Sequence, residues 1–217
     1  MSAGASLDTK TSAVTQSRKD KKILVVGAGL VGSLQALYFA QRSYNVHVYE
    51  YRSDPRTQAN VAGRSINLAL SKRGREALKA VGAEDHVVKT GIPMYARMIH
   101  SHDGMQTPIP YGKKDQYILS IDRRKLNEHL ISLVEKHPNV EFHFDAKCTN
   151  ANIKECRVET ELTKTKEQDK IEGDLIVGCD GSYSNIRRQL MKLNRMNYSQ
   201  VTSVSYTHLT LPTILLV

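Results

Sequence analysis

Three glycines and one glutamate form the pattern with the clearest chemical meaning in this chain of 217 residues. The run Gly27-Ala28-Gly29-Leu30-Val31-Gly32 directly follows the apolar residues 23–26. In a strand–turn–helix context, the first glycine permits a tight turn, the second lets backbone approach a pyrophosphate, and the third allows close helix–strand packing. The free N–H groups at the start of the following helix favour an anion. The run therefore predicts the phosphate cradle of an adenine dinucleotide.

Glu50 stands at the end of the next predicted strand, 46–50, and lies 23 residues after Gly27. A carboxylate at this place can accept hydrogen bonds from both hydroxyls of the adenosine ribose, and it disfavours a 2′-phosphate. The glycines and Glu50 together indicate a dinucleotide but do not separate FAD from NAD.

The hydrophobic pattern around these residues predicts an α/β fold with a parallel sheet. Apolar and β-branched runs predict strands, and apolar residues at helical spacing predict helices. Strands are expected at 23–26, 46–50, 96–100, 117–120, 140–144 and 175–178, with one or two polar antiparallel strands in 147–172. Helices are expected at 33–42, 71–80 and 124–135, the last capped by Asp122, and a turn at Asp103-Gly104.

Three further segments favour a flavin dinucleotide. Residues 63–71 are basic and rich in hydroxyl groups, Arg123 adds a cation at a helix start, and Asp180-Gly181 follows a buried strand. With these segments the chain resembles the FAD-dependent aromatic hydroxylases, in which such an Asp-Gly motif touches the dinucleotide and helps NAD(P)H to engage.

The resemblance is closest to the kynurenine 3-monooxygenase family. Long collinear runs match it over roughly residues 22–200. Among them are G-L-V-G-S-L-Q-A at 29–36, G-R-S-I-N-L-A-L-S at 63–71, A-R-M-I-H-S at 96–101 and D-L-I-V-G-C-D-G at 174–181. The resemblance implies a Rossmann-like FAD-binding fold of the aromatic hydroxylase type, with an incomplete substrate-domain sheet.

The same resemblance implies an activity and a set of site residues. It implies an NADPH-dependent flavin monooxygenase that converts L-kynurenine and O2 to 3-hydroxykynurenine, in tryptophan degradation and NAD biosynthesis. No catalytic side chain is expected, because the protein supplies orientation and exclusion of water. The implied substrate-binding pair is Arg97 and Tyr111, which suit a carboxylate. The expected FAD-binding residues are Gly27, Gly29, Val31, Gly32, Glu50, Arg52, Arg64, Ala69, Arg123, Asp180 and Gly181.

The resemblance ends near Gln200. Residues 201–217 contain no charged side chain, and we expect them to be foreign to the family. We expect a flexible tail at 1–21, an FAD-binding region with part of the substrate site at 22–200, and a truncated chain that binds FAD weakly and does not turn over. The family's location on the cytosolic face of the outer mitochondrial membrane depends on a C-terminal region that we do not find here.

The composition also argues against a nucleic-acid surface, disulfide bonds, a metal site and a membrane span. The net charge of +9 lies mostly at the two ends, since 1–22 and 187–217 together hold seven of the nine charges, so no nucleic-acid surface is expected. Three cysteines without a C-x-x-C motif indicate reduced thiols. The spacing His100-x-His102, without further ligands, predicts no metal site. No apolar run reaches the roughly 20 residues of a membrane span.

Three alternatives stay open at this point. The chain could derive from a hydroxylase of another carboxylated aromatic compound, from a nucleotide-binding module without redox activity, or from a nicotinamide dehydrogenase. Identifying the ligand bound after purification separates FAD from NAD.

Overall fold

The computed structural model describes residues 16–58, 67–193 and 198–199. The predicted tails and the predicted FAD-binding residue Arg64 lie wholly or largely outside these ranges. The elements are, in chain order, β1 (Lys22–Val26), α1 (Leu30–Ala40), β2 (Asn45–Tyr49), β3 (Leu68–Leu70), α2 (Lys72–Lys79), α3 (Glu84–Thr90), β4 (Ile92–Met94), β5 (Ala96–His100), β6 (Gln106–Pro110), β7 (Ile118–Ile121), α4 (Arg123–Val134), β8 (Val140–His143), β9 (Ala146–Asn152), β10 (Arg157–Leu162), β11 (Gln168–Glu172), β12 (Leu175–Gly178) and α5 (Asn185–Leu193).

A four-stranded parallel sheet forms the centre of the molecule, with strand order β12-β1-β2-β8. Leu24 and Val25 on β1 point to opposite faces, and both are completely buried. Burial on both faces is the condition under which a parallel sheet is stable, and it explains the unbroken apolar run of β1. The predicted α/β fold with a parallel sheet is confirmed.

Different elements cover the two faces of this sheet. On one face Val25 and Val48 pack with Leu37 of α1 and Leu130 of α4. On the other face Leu24 packs with the antiparallel sheet β11-β10-β9 and with α5. The carboxyl ends of β1, β2 and β12 therefore meet at one edge, between two apolar layers.

The antiparallel sheet β11-β10-β9 corrects the sequence prediction for residues 147–172. One or two strands were expected there, and three form. The chain reverses at turns that contain Cys156 and Lys166, both of which have a positive φ. Cysteine and lysine rarely take this conformation, so neither turn has glycine or asparagine at its positive-φ position.

Two smaller sheets lie beside this core: β3-β7-β4, and the hairpin β5–β6. Gly104, with φ +86°, forms the hairpin turn that the sequence predicted. Every residue of β5 is exposed, and Met98 and Ile99 retain 50% and 40% of their accessible surface. The hairpin is therefore an apolar ribbon that the described residues leave uncovered.

The sequence prediction contains no counterpart of five described elements: β3, α3, β4, β6 and α5. Helices α3 and α5 each have one buried residue, Val87 and Ile186. In α5 the apolar residues Ile186, Leu190 and Leu193 recur at helical spacing, so its pattern was present in the sequence. No helix in the described ranges is long and apolar enough to cross a membrane.

Candidate dinucleotide site

The glycine turn between β1 and α1 is held against two neighbouring strands. The Gly27 N–H donates to the Tyr49 carbonyl oxygen at 2.7 Å, and the Cys179 N–H donates to the Val26 carbonyl oxygen at 2.8 Å. A Cβ on Gly27 would lie 2.5 Å from the Cys179 carbonyl oxygen, and its φ is +102°. A Cβ on Gly32 would overlap the Gly27 carbonyl oxygen. The first and third glycines of the motif are thus required by the protein's own packing.

The second glycine has a different environment. A Cβ built on Gly29 would meet no atom within 4 Å, and Gly29 begins α1 without a side-chain cap. The Ala28 carbonyl oxygen accepts hydrogen bonds from Ser33 Oγ and Asn127 Nδ2, both at 3.1 Å. Because C=O and N–H of one trans peptide point in opposite directions, these donors fix the Gly29 N–H away from themselves. The turn therefore fits the phosphates of a dinucleotide.

Glu50 braces the same turn from the end of β2. Its Oε2 accepts from the Ala28 N–H at 2.8 Å, and its Oε1 accepts from the Arg52 N–H at 3.0 Å. Each carboxylate oxygen can accept a second hydrogen bond, so the predicted contact with ribose hydroxyls stays compatible with this geometry. The sequence pattern pointed to Glu50 but not to its bonds with the backbone.

Asp180 and Gly181 lie beside the glycine turn, directly after β12. The Asp180 carboxylate caps α5, accepting from Ser184 Oγ at 2.5 Å and from the Asn185 N–H at 2.6 Å. Gly181 has φ +82°, which favours glycine. The FAD contact of this motif stays a prediction. In the structure, Asp180 caps the start of α5.

The start of α4 lies over the turn through Asn127. Arg123 is the first residue of that helix and is exposed, and Asp122 caps it by accepting from the Arg124 and Lys125 N–H groups. Residues four apart on a helix lie on one face, so Arg123 stands one turn from the Asn127 contact. The fold thus places this predicted cation near the glycine turn, 95 residues later in the chain.

The remaining predicted contacts of the dinucleotide are exposed. Val31 keeps 63% of its surface in the first turn of α1, and Ala69 is exposed in β3. Arg52 Nε donates to Tyr51 Oη at 2.6 Å, and its guanidinium carbon lies 4.8 Å from the centre of that ring. These side chains leave apolar and cationic surface open near the turn.

The predicted substrate pair lies on the hairpin. Arg97 of β5 is opposite Ile109, and the Tyr111 N–H donates to the Tyr95 carbonyl oxygen at 2.9 Å. In this register Arg97 and Tyr111 are diagonal neighbours on one face. Tyr111 lines an open cleft of about 460 Å³ together with Arg75 and Tyr117, and Arg97 does not line it. The structure therefore brings the pair to one face but not into one cavity.

Two of the cysteine thiols, those of Cys148 and Cys179, are poor nucleophiles here. All three cysteines are free. Burial raises the pKa of the Cys148 thiol to about 12 and that of the Cys179 thiol to about 11. Reactive cysteines have lowered pKa values, so neither thiol fits a redox or catalytic role.

Sequence reasoning missed Asn127 and Ser33 as residues of this site. Nothing in their spacing distinguishes them, because a single asparagine or serine in a helix is common. One signal is structural: Asn127 Oδ1 is buried without a hydrogen-bond partner among the described residues. Buried amide oxygens are seldom left unpaired, which makes this oxygen a candidate acceptor for a ligand hydroxyl.

We predict that Asn127→Ala weakens FAD binding by up to about 10-fold, the value of one hydrogen bond. The affinity should fall because the substitution removes one of the two donors that orient the 28–29 peptide. Asn139→Ala is the matched control, since Asn139 Nδ2 donates to Ala40 and Tyr44 at the far end of α1. Titration of flavin fluorescence measures both variants. Equal losses of affinity in the two would contradict the positioning role.

Comparison with known proteins shows the family of this chain. The family model described as "FAD binding domain" matches residues 20–212. The chain is 50% identical to kynurenine 3-monooxygenase of Sus scrofa over 195 residues, covering 88% of this chain and 40% of that protein. Its identity to kynurenine 3-monooxygenase of Caenorhabditis elegans is 45%, covering 82% and 42%. The chain thus spans about 40% of the length of these curated relatives, and the sequence resemblance is confirmed.

Solved structures agree at the level of the fold. The flavin-dependent monooxygenase PieE, solved with FAD and substrate, superposes with a TM-score of 0.67 at 17% identity, covering 78% of this chain and 32% of that one. On the match over residues 20–212, the chain belongs to the FAD binding domain family.

Proposed function

We propose that this chain forms the FAD site and part of the substrate site of a monooxygenase that hydroxylates L-kynurenine to 3-hydroxykynurenine with NADPH and O2. The observation that supports this most is the 50% identity to the Sus scrofa kynurenine 3-monooxygenase, joined to a glycine turn whose backbone is braced for a dinucleotide. When bound, FAD supplies the redox chemistry, accepting a hydride from NADPH and activating O2.

In this proposal the chain's own residues hold the cofactor and orient it. Glu50 holds the 27–28 peptide through the Ala28 N–H, and Ser33 and Asn127 hold the 28–29 peptide through the Ala28 carbonyl oxygen. The start of α1 offers N–H groups and a positive dipole end to the diphosphate. Arg52 and Arg123 would add positive charge beside the glycine turn, where the diphosphate would bind. No side chain of the described residues is assigned a proton transfer.

The substrate's amino-acid carboxylate is proposed to bind Arg97 and Tyr111. A planar guanidinium can hold a carboxylate through two parallel hydrogen bonds, and a phenol adds one donor. Their diagonal placement on one hairpin face supports a shared ligand. The exposed Met98 and Ile99 on the same hairpin leave apolar surface near it.

Binding of L-kynurenine, followed by calorimetry or ligand-detected NMR with FAD present, tests the substrate assignment. We expect Arg97→Ala to weaken binding by about 10- to 100-fold, the range for a charge-assisted hydrogen bond. Kynuramine, which lacks the carboxylate, is the matched ligand. Its weaker binding should be unchanged by Arg97→Ala.

Two outcomes would count against this assignment. If Arg97→Ala weakened the binding of L-kynurenine and kynuramine equally, Arg97 would not be the residue that binds the carboxylate. Tighter binding of another carboxylated aromatic compound than of L-kynurenine would favour a hydroxylase of that compound. Kynurenine-dependent NADPH oxidation by the FAD-loaded chain, with the product identified by mass spectrometry, tests turnover directly.

The location on the outer mitochondrial membrane, which the family resemblance implies, is a proposal that rests on similarity alone. Fractionation of cells that express the native gene product tests it, with recovery in the outer-membrane fraction as the expected result.

A further inference from the structure

Two histidines and a glutamate meet on one face of the central sheet, where β2 pairs with the edge strand β8. His47 lies on β2, and Glu141 and His143 lie on the neighbouring parallel strand β8. The register pairs His47 with Glu141 and Tyr49 with His143. Side chains two residues apart on a strand share a face, so all three point to the same side. They are called the His–Glu–His cluster below.

The donor atoms of this cluster have the spacing of metal ligands. His47 Nδ1 lies 3.2 Å from His143 Nε2. Glu141 Oε2 is 3.5 Å from His47 Nδ1, and Glu141 Oε1 is 3.8 Å from His143 Nε2. Ligands of a tetrahedral zinc ion, at bond lengths of roughly 2.0–2.1 Å, stand about 3.3 Å from one another. We propose that the His–Glu–His cluster is a binding site for a divalent transition metal, with Zn²⁺ as the best match.

The surroundings of the cluster prepare the two imidazoles for this role. The His143 ring stacks on Tyr49 with ring centres 4.5 Å apart, and the His47 ring is nearly parallel to it at 5.5 Å. Lys22 on β1 and Asp169 on β11 are the other charged groups near the cluster, and their charges have opposite signs.

The cluster is open on one side. The side chains of His47 and His143 keep 15% and 29% of their surface, whereas Glu141 keeps 63%. Three protein ligands and an exposed side leave the fourth position of the ion to water. This is the arrangement of exchangeable rather than closed sites.

A metal here would join β2 to β8 next to the dinucleotide site. The Glu50 N–H donates to the His143 carbonyl oxygen at 2.9 Å, and Glu50 in turn holds the Ala28 peptide. Binding to the folded state alone stabilises it. We therefore expect Zn²⁺ to raise the unfolding temperature of the chain in the absence of FAD.

Calorimetric titration of the untagged, FAD-free chain with ZnCl2 at pH 7.5, after EDTA treatment, tests the proposal. We expect one ion per chain, and a rise in Tm of about 5 °C or more at 100 times Kd. Co²⁺ should give the visible absorption of a tetrahedral complex. Glu141→Gln should weaken Zn²⁺ binding by about 100-fold, because losing even an indirect partner of a ligand costs roughly 10- to 100-fold.

Glu141→Gln is the decisive variant, since so exposed a side chain can be changed without loss of fold. His143→Ala should abolish binding, and its circular dichroism spectrum checks folding. The control is His100→Ala with His102→Ala, which removes the surface histidine pair on β5 and the turn after it and should leave binding intact. Unchanged affinity in Glu141→Gln, loss in the His100/His102 control, or no binding by the parent chain would each overturn the site. None of these results depends on FAD, so they are independent of the proposed activity.

Discussion

Gly32→Ala is expected to prevent stable folding of the dinucleotide region. In a helix interior, alanine normally gives about 1 kcal/mol more stability than glycine. At Gly32 we expect the opposite, a loss of stability, because the packing leaves no room for a Cβ. The new Cβ would overlap the Gly27 carbonyl oxygen and would lie 3.3 Å from Cys179 Cβ. Gly27 cannot yield easily, because its N–H is bound to Tyr49. We expect a loss of at least about 4 kcal/mol, a large part of the stability of an ordinary domain.

Gly29→Ala is the matched substitution with the opposite outcome. Gly29 has φ −71° and open space around its Cβ position, so alanine fits the fold and should change the unfolding free energy by no more than about 1 kcal/mol. Its methyl group would stand where a diphosphate approaches the turn, and FAD binding should fall. Urea unfolding and flavin titration measure the two properties separately. Normal stability in Gly32→Ala, or normal FAD affinity in Gly29→Ala, would contradict the roles assigned to the glycines.

Glu50→Ala is expected to lower FAD affinity by at least about 100-fold. The carboxylate makes two hydrogen bonds to backbone N–H groups, and hydrogen bonds to charged groups contribute roughly 1.5–3 kcal/mol each. Without them the Ala28 peptide loses the partner of its N–H, and the orientation of the turn is no longer fixed. Flavin fluorescence titration measures the affinity, and thermal unfolding reports the accompanying loss of stability.

Glu50→Gln distinguishes geometry from charge. A glutamine presents one oxygen and one NH2 group, so one of the two backbone donors would face another donor. We expect Glu50→Gln to lose most of the affinity as well. Glu172→Gln serves as the control, because the Glu172 side chain is 74% exposed on β11 and should leave FAD binding unchanged. A Glu50→Gln protein with full affinity would show that the ribose contact, and not the backbone brace, is the essential one.

The sequence predicted the structure best where a short run of residues is compatible with one backbone arrangement. The apolar run of β1, the glycines after it and Glu50 at the end of β2 lie within 29 residues, so their arrangement follows from one βαβ unit. The Asp122 cap of α4 and the Gly104 turn are local in the same sense. The prediction for residues 147–172 failed because the turns at Cys156 and Lys166 use residues that seldom form turns.

What the sequence by itself determined is the α/β class, the dinucleotide motif and the family. Only the tertiary structure showed that Asn127 donates to Ala28, and that His47 meets Glu141 and His143. These partners lie up to 99 residues apart in the chain. Contacts of that range depend on strand order and on the register between β2 and β8, and neither is written in the spacing of residues along one chain.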